Sequence, residues 1–257
     1  MELSCYVLTY NSARRLDEVL RALRGVADEI VIVDSDSSDA TEMIAAAHGA
    51  RFIRHAFENF TAQRTFAVSA CTNRWILALD SDEVMSEALA QRIAALKASD
   101  FATPNNSQAF GIRREWYLLG RRIHCFYPSS CPDWPVRLFD RQAAHYIAGR
   151  HVHESLTGFT RSEAIEEPLL HHTCDSIDDL YGKLNQYSTL GARDLQARGV
   201  EPGWLRIVVL PWLIWVQWYV VKGGWRDGAV GLIHARYVRD MVYQKYLKLK
   251  FDLAAKR

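Results

Sequence analysis

The amino-acid sequence predicts an α/β fold, in which helices flank a mostly parallel, doubly wound β-sheet. Strand-like and helix-like segments alternate four times in the first hundred residues, as in chains built from parallel β-α units. Glu29–Asp34 contains four consecutive β-branched residues, which is typical of a parallel strand buried on both faces. Carboxylates follow two of the strands, at Asp34 and Asp36 and at Asp80 and Asp82, where open α/β sheets bind ligands.

The elements of this first part follow from local patterns. Short apolar runs predict strands at residues 3–9, 29–34, 51–55 and 74–79. Apolar residues at helical spacing and capping residues predict helices at 14–23, from 38 or 39 to 48, from 59 or 61 to 71, and at 86–97.

The pattern changes after residue 100. Residues 109–118 alternate as a strand, 120–170 are rich in Trp, Tyr, His and Pro, and 176–198 are helical. A Glu-Pro-Gly break at 201–203 precedes an apolar, aromatic and then basic helical region. We therefore predict one domain at 1–200, with halves at 1–100 and 101–200, and a helical C-terminal extension at 201–257.

Charge and cysteine content narrow the functional classes. The 257 residues carry a formal net charge of +1, so no global field for nucleic acid is expected. Residues 222–257 alone carry +6, which indicates an anionic partner for the tail or a solvated helix face. The five cysteines are scattered. We expect no disulfide framework, no signal peptide and a reducing cytoplasm.

The segment Asp80-Ser81-Asp82 is the strongest chemical signal. Two carboxylates at a strand end repel each other unless a cation lies between them. Mg²⁺ and Mn²⁺ prefer oxygen ligands and commonly join protein carboxylates to a diphosphate. We therefore predict that Asp80 and Asp82 bind Mg²⁺ or Mn²⁺.

Three further segments are candidates for nucleotide binding. The loop 33–39 has carboxylates and hydroxyls that can accept hydrogen bonds from the base or the ribose of a nucleotide. It can equally be a helix-capping turn. It fits a Ca²⁺-binding loop poorly. Tyr10 can stack on a base or pack in the core. Arg64 can reach a diphosphate or form a surface salt bridge.

Together these segments resemble the family 2 glycosyltransferases. The first-half segments that carry the resemblance are Thr9-Tyr10-Asn11, 27–35 (ADEIVIVDS), Gln63-Arg64 and 75–83 (WILALDSDE). Later segments resemble the subgroup that adds glucose to the heptose of bacterial lipopolysaccharide core: 134–141 (WPVRLFDR), 151–154 (HVHE), 183–189 (KLNQYST) and 224–231 (GWRDGAVG). The resemblance covers nearly the whole chain. The subgroup usually has Gly at the position of Asp36 and Asn at that of Thr65, which bears on the choice of donor.

The resemblance implies a GT-A, Rossmann-like fold and an inverting transfer of a hexose, glucose or a close relative, from a UDP-sugar to a lipid-linked core oligosaccharide. It places the nucleotide-sugar against residues at the ends of the first strands and on the helix before the Asp80-Ser81-Asp82 strand. These are Thr9, Tyr10, Asn11, Asp34, Ser35, Asp36, Gln63, Arg64, Asp80 and Ser81.

An inverting transfer needs a general base. Asp133 is the first candidate and Glu154 the second, and each can instead be structural. His153 can be a third metal ligand, a diphosphate donor or a buried structural histidine. A zinc site is not expected, because the spacing of the Cys/His zinc classes is absent.

Residues 204–221 indicate a membrane contact. They are strongly apolar and rich in Trp and Tyr, which favour the water–lipid interface. Because Arg206, Pro211 and Gln217 interrupt the run, we predict a peripheral attachment to the inner face of the cytoplasmic membrane. Core packing and a homodimer interface are the alternatives.

Two other functions are weighed against a transferase. A nucleotidyltransferase can use a similar sheet and metal, but it usually has a Gly-rich phosphate loop, and residues 9–14 contain no Gly. A catalytically silent membrane-binding module is the third reading.

Overall fold

The computed structural model describes residues 1–129, 131–147 and 156–253. The chain forms two compact units. The first contains Met1–Arg114 and Asp133–His171, and the second contains Glu115–Pro132 and His172–Arg257. Residues 172–200, placed by the sequence before the predicted boundary at 200, belong to the second unit. The predicted domain division stays a prediction.

The parallel half of the sheet is formed by the first four strands, β1 (Leu3–Thr9), β2 (Glu29–Asp34), β3 (Arg51–Arg54) and β4 (Trp75–Asp80). Strand β1 lies between β2 and β4 and is parallel to both, and β3 pairs in parallel with β2. In this register Thr9 is opposite Asp34, and Leu8 is opposite Asp80. The three neighbouring strands therefore end at one edge of the sheet.

The remaining strands make the sheet mixed. They are β5 (Glu83–Met85), β6 (Ala109–Leu118), β7 (Arg121–Ile123), β8 (Val136–Asp140), β9 (His145–Tyr146), β10 (Leu156–Thr157) and β11 (Ser162–Cys174). Among the described residues the strand order is β3-β2-β1-β4-β8-β6-β11-β5, with β7 beside β6 and a separate β9–β10 pair. Strand β8 is antiparallel to β4 and β6, and β11 is antiparallel to β5. The predicted α/β fold class is confirmed.

Strand β1 is buried throughout because both of its faces carry core. Cys5 and Val7 pack in one apolar cluster, and Tyr6 and Leu8 pack in another. Side chains alternate between the two faces of a strand. This arrangement explains the continuous apolar run in the sequence.

The helices of the first unit are α1 (Leu16–Ala22), α2 (Thr41–Ala47), α3 (Phe60–Ala70) and α4 (Glu87–Ala98). Asn59 caps α3 by accepting from the backbone N–H of Ala62, and Ser86 caps α4 in the same way. Ser86 was predicted as a cap, and Asn59 was one of the two predicted starts of α3. Helix α2 begins later than predicted, at Thr41, because Asp39 accepts from the Thr41 N–H in a turn before the helix.

The second unit is mainly helical. It contains α5 (Ile177–Ala197), α6 (Trp204–Val208), α7 (Leu210–Val216), a π-helical turn (Gln217–Val221), a 3₁₀ turn (Gly224–Asp227), α8 (Gly228–Leu247) and a π-helical end (Lys248–Leu253). Helices α5 and α8 pack together. A capping box of Ser176 and Asp179 starts α5.

The segment 224–231 (GWRDGAVG) is closely packed and makes hydrogen bonds within this unit. A Cβ at Gly231 would collide with the carbonyl oxygen of Gly224, so only glycine permits this approach. Asp227 accepts from the backbone N–H and the Nδ1 of His124 at 3.0 and 2.6 Å. The side chains of Cys125 and Cys131 lie against each other in this unit, with their Cα atoms 5.6 Å apart.

Candidate functional site

The site lies at the edge of the sheet where β1, β2 and β4 end. The loops after these strands are joined directly to one another. The Ser35 N–H donates to the carbonyl of Thr9 at 2.9 Å, and the hydroxyls of Ser12 and Ser81 are 2.8 Å apart. The structure thus brings the two acidic segments of the sequence to the same edge.

Asp34 stabilises this edge through hydrogen bonds of its buried side chain. Its side chain is fully buried and accepts from the Thr9 hydroxyl at 2.7 Å. The other two donors are the N–H and hydroxyl of Ser37, at 2.7 and 2.5 Å. Asp34 therefore shapes the loop, and its role in contacting a nucleotide stays a prediction.

Other predicted nucleotide-binding residues face outward. Tyr10 is 66% exposed, and Asn11 and Asp36 are also exposed. Asn11 donates its N–H to the Ser37 hydroxyl at 2.7 Å and accepts from the Ser38 N–H at 2.9 Å. Asn11 and Asp36 have φ values of 49° and 61°. This left-handed conformation favours Gly, Asn and Asp, so both positions carry residues that tolerate it.

Gln63 connects helix α3 to the loop after β2. Its amide nitrogen donates to the Ser35 hydroxyl at 3.1 Å and to the His55 carbonyl at 3.0 Å. Its amide oxygen is 2.8 Å from the His55 Nδ1. Since Gln63 is buried, it positions Ser35.

Asp80 is held between two arginines. One carboxylate oxygen accepts from Nη2 of Arg64 at 2.7 Å, and the other accepts from Nη2 of Arg137 at 2.7 Å. Both arginines are almost fully buried. Burial disfavours the charged carboxylate, but the attraction of Arg64 and Arg137 outweighs it and holds the pKa of Asp80 below its ordinary value of 3.8.

Glu83 is the centre of the cluster. Its side chain is fully buried. One oxygen accepts from Arg137 at 2.6 Å and from Arg114 at 3.1 Å, and the other accepts from the Asp80 N–H at 3.1 Å. Burial disfavours the charge of Arg137, but the Glu83 and Asp80 carboxylates outweigh it and raise the pKa of Arg137.

Asp82 lies beside His171. Its carboxylate is 3.3 Å from the His171 Nε2, and the Nδ1 of the same ring is 3.6 Å from Glu83. The pairing of β5 with β11 sets this contact, because His171 is opposite Glu83. Among the described residues, no three His, Cys, Asp or Glu side chains are grouped as a metal site. His153, the predicted third ligand, lies outside the described residues.

Asp133 reaches the same cluster through Arg114. Its carboxylate accepts from Nε and Nη2 of Arg114 at 2.7 and 2.5 Å, and its carbonyl accepts from the Arg114 N–H at 2.9 Å. Both side-chain bonds end on one carboxylate oxygen, Oδ2, and hold it against the guanidinium. Glu154, the second candidate base, lies outside the described residues.

Four members of the cluster were not predicted from the sequence as site residues. They are Glu83, Arg114, Arg137 and His171. Glu83 and Arg137 stand in segments that carry the resemblance, so their position there was an available signal. Nothing in the spacing of the sequence indicates Arg114 or His171, because long-range strand pairing brings them to the site.

The chain was compared with known proteins. Residues 4–165 match the family model described as Glycosyl transferase family 2. An uncharacterized glycosyltransferase of Rickettsia bellii is 28% identical over 219 residues, which are 80% of this chain and 71% of the relative. The lipopolysaccharide core biosynthesis glycosyltransferase LpsC of Rhizobium meliloti is 28% identical over 242 residues, which are 91% of this chain and 87% of the relative.

Two solved structures show weaker likeness. Glucosyl-3-phosphoglycerate synthase of Mycobacterium tuberculosis is 20% identical, covers 44% of each chain and has a TM-score of 0.37. S. aureus TarS is 13% identical, covers 100% of this chain and 92% of its own, and has a TM-score of 0.47.

Proposed function

Because the chain belongs to glycosyl transferase family 2, we propose that it is an inverting hexosyltransferase that takes glucose or a close hexose from a UDP-sugar. The acceptor is a lipid-linked core oligosaccharide of lipopolysaccharide or a related glycan. The relative that is named for lipopolysaccharide core biosynthesis supports this acceptor class. The observation that carries the donor class is the edge at which β1, β2 and β4 end, because the exposed Tyr10 follows β1 and the Asp80–Arg64 pair stands at the end of β4.

The charges of the cluster suit a divalent cation followed by a diphosphate. Four carboxylates, Asp80, Asp82, Glu83 and Asp133, meet three guanidinium groups, Arg64, Arg114 and Arg137. With His171 neutral, the cluster has an excess of one carboxylate, which attracts a cation. Added to this cluster, a divalent cation gives a positive site that attracts a diphosphate.

Asp82 and Asp80 are the residues that would hold Mg²⁺ or Mn²⁺. The fit rests on hard oxygen donors and on the partial exposure of both carboxylates, 29% for Asp82 and 27% for Asp80. Mg²⁺ is commonly bound by one or two carboxylates together with substrate phosphates, so a cage of three protein ligands is not required. When bound, the cation neutralises charge on the leaving diphosphate.

The protein's own residues would bind the donor nucleotide and activate the acceptor hydroxyl. Arg64 donates to the diphosphate, while Tyr10 and the loop after β2 hold the nucleoside. Asp133, oriented by Arg114, takes the proton of the acceptor hydroxyl while the oxygen of that hydroxyl forms a bond to the anomeric carbon. The bond from that carbon to the diphosphate oxygen breaks on the opposite face, and UDP leaves with the electron pair.

The second unit would attach the enzyme to the inner face of the cytoplasmic membrane. Trp204–Val221 passes the length and composition test for a membrane span, with a mean hydropathy of 1.5, and only 17% of the segment is buried. Its exposed apolar side chains include Trp204, Leu205, Val208, Trp212, Leu213, Val216 and Val221. Pro211 and a π-helical turn interrupt the segment. Peripheral attachment therefore fits it better than crossing.

Donor hydrolysis tests the proposed activity. The purified full chain is incubated with a panel of nucleotide sugars and Mg²⁺ or Mn²⁺, and released nucleotide is measured. UDP-glucose or another UDP-hexose is expected to be cleaved fastest, and the Asp82→Ala variant is expected to lose this activity. Preference for a nucleotide sugar other than a UDP-hexose would refute the donor assignment. Full activity in Asp82→Ala or in EDTA would refute the metal assignment.

A further inference from the structure

Arg137 has a hydrogen-bonding pattern that its carboxylate partners do not complete. It is 6% exposed, and its Nη2 donates to both Asp80 and Glu83, at 2.7 and 2.6 Å. Its Nε is enclosed and has no hydrogen-bond partner among the residues that the structure describes. A guanidinium carries five N–H donors, so much of this buried group's donor capacity is left for another acceptor.

An enclosed cationic donor without an acceptor is costly, and such groups in native proteins need an explanation. A phosphate oxygen is a suitable acceptor, because the planar fork of arginine matches phosphate geometry. The surroundings also suit an anion. Arg64 holds the other oxygen of Asp80 at 2.7 Å, so two guanidinium groups flank one carboxylate at the edge where the donor is expected.

We propose that Arg137 is a second diphosphate-binding residue, which acts with Arg64 on the UDP-sugar. This proposal rests on the proposed function. Glu83 is the positioning residue: it is fully buried, shares the Nη2 of Arg137 with Asp80, and keeps the guanidinium at the site before the nucleotide arrives. Donation from Arg137 stabilises the negative charge that develops on the departing diphosphate.

The test compares two ligands that differ only in the diphosphate. Binding of UDP and of uridine to the purified full chain is measured by calorimetry in Mg²⁺, with uridine measured as a competitor. The ratio of the two affinities isolates the diphosphate contacts. Hydrogen bonds to charged groups are worth enough that Arg137→Gln should lower this ratio by roughly tenfold to a hundredfold, with the uridine affinity unchanged.

Arg74→Gln is the matched control. Arg74 belongs to the same unit and pairs with Asp140 through two hydrogen bonds of 2.9 and 2.6 Å, but it precedes β4 and so lies at the other end of that strand. Its substitution should leave the ratio as in the wild type. A residue with only a structural role would weaken UDP and uridine alike.

Arg137→Lys keeps the buried positive charge beside Glu83 and Asp80 but removes the fork. It should also lower the UDP-to-uridine ratio, and it decides the matter if Arg137→Gln does not fold. In the wild-type protein, the Nε–H resonance of Arg137 should shift on addition of UDP and not of uridine. An unshifted resonance, or an unchanged ratio in a folded Arg137 variant, overturns the proposal. A wild-type protein that binds UDP no better than uridine refutes the proposed function itself.

Discussion

Replacement of Glu83 by glutamine tests whether the buried cluster is organised around this carboxylate. The two side chains have nearly the same shape, so the change removes a charge and places an amide NH₂ among groups that are already donors. Arg137 and Arg114 would each lose a carboxylate partner, and the Asp80 N–H would compete for the one remaining oxygen.

The expected loss of stability is large because Glu83 is fully buried. Removal of one partner from a buried ion pair costs about 3–5 kcal/mol, a sizeable part of the roughly 5–15 kcal/mol that stabilises a typical domain. For a chain of this size, each kcal/mol lowers the melting temperature by about 2–4 °C. The Glu83→Gln variant should therefore melt about 6–20 °C below the wild type.

Urea unfolding followed by far-UV circular dichroism measures the change in free energy, and calorimetry measures the melting temperature. Glu87→Gln is the control, because Glu87 is exposed at the start of α4 and, within the described part of the chain, its side chain bonds only to Gln91, at 3.5 Å; it should change stability by less than about 0.5 kcal/mol. The loss in the double variant Glu83→Gln/Arg137→Gln should be smaller than the sum of the single losses. A Glu83→Gln variant as stable as the control would refute the central role of this carboxylate.

Three further predictions concern the base, the acid stability and the membrane contact. Asp133→Asn should retain UDP binding but lower the transfer rate by roughly a hundredfold to ten-thousandfold; a near-wild-type rate would assign the base to Glu154. Since the folded-state pKa of Asp80 lies below its ordinary value of 3.8, its carboxylate stabilises the fold fully above that pH and less as the pH falls. The unfolding free-energy difference between the wild type and Asp80→Asn should therefore shrink below pH 3.8, and a difference independent of pH would contradict the ion pairs. Trp212→Glu and Leu213→Glu place charges on exposed apolar positions and should reduce co-sedimentation with vesicles that contain anionic lipid; unchanged sedimentation together with loss of a dimer would assign this face to a second copy of the chain.

Local patterns were sufficient to predict most elements of the fold. The strand Glu29–Asp34 was predicted with the bounds that it has in the structure, because consecutive β-branched residues and the flanking turns define it. The start of α2 was predicted too early because the loop before it has two possible caps, Ser38 and Asp39. The hydrogen bonds of Asp39 to Thr41 and Ala13 fix that turn, and they depend on the neighbouring loop after β1.

The site was predicted less completely than the fold. The sequence placed the residues that follow β1, β2 and β4 at one edge, because parallel strands have their carboxyl ends together; the binding role of these residues stays a prediction. It did not identify the side chains that neutralise them. Arg114 and Arg137 come from β6 and the start of β8, and only the antiparallel pairing of these strands places them beside Glu83. A motif in one segment does not specify a partner that arrives from a strand tens of residues away.

Substitutions at the site should have two kinds of effect, depending on whether they remove a hydrogen bond between the loops or a member of the series of ion pairs. The loops after β1 and β2 are tied together by hydrogen bonds, such as those of Asn11 with Ser38 and of Ala13 with Asp39, so changes there should alter donor affinity and leave the base unaffected. Arg64 and Asp133 are instead the two ends of a continuous series of ion pairs that passes through Glu83. Charged groups that share partners in a buried network do not act independently. A change at Glu83 should therefore alter donor affinity and transfer rate together, since Arg114, which contacts the proposed base, and Arg137, the proposed diphosphate-binding residue, both pair with the Glu83 carboxylate.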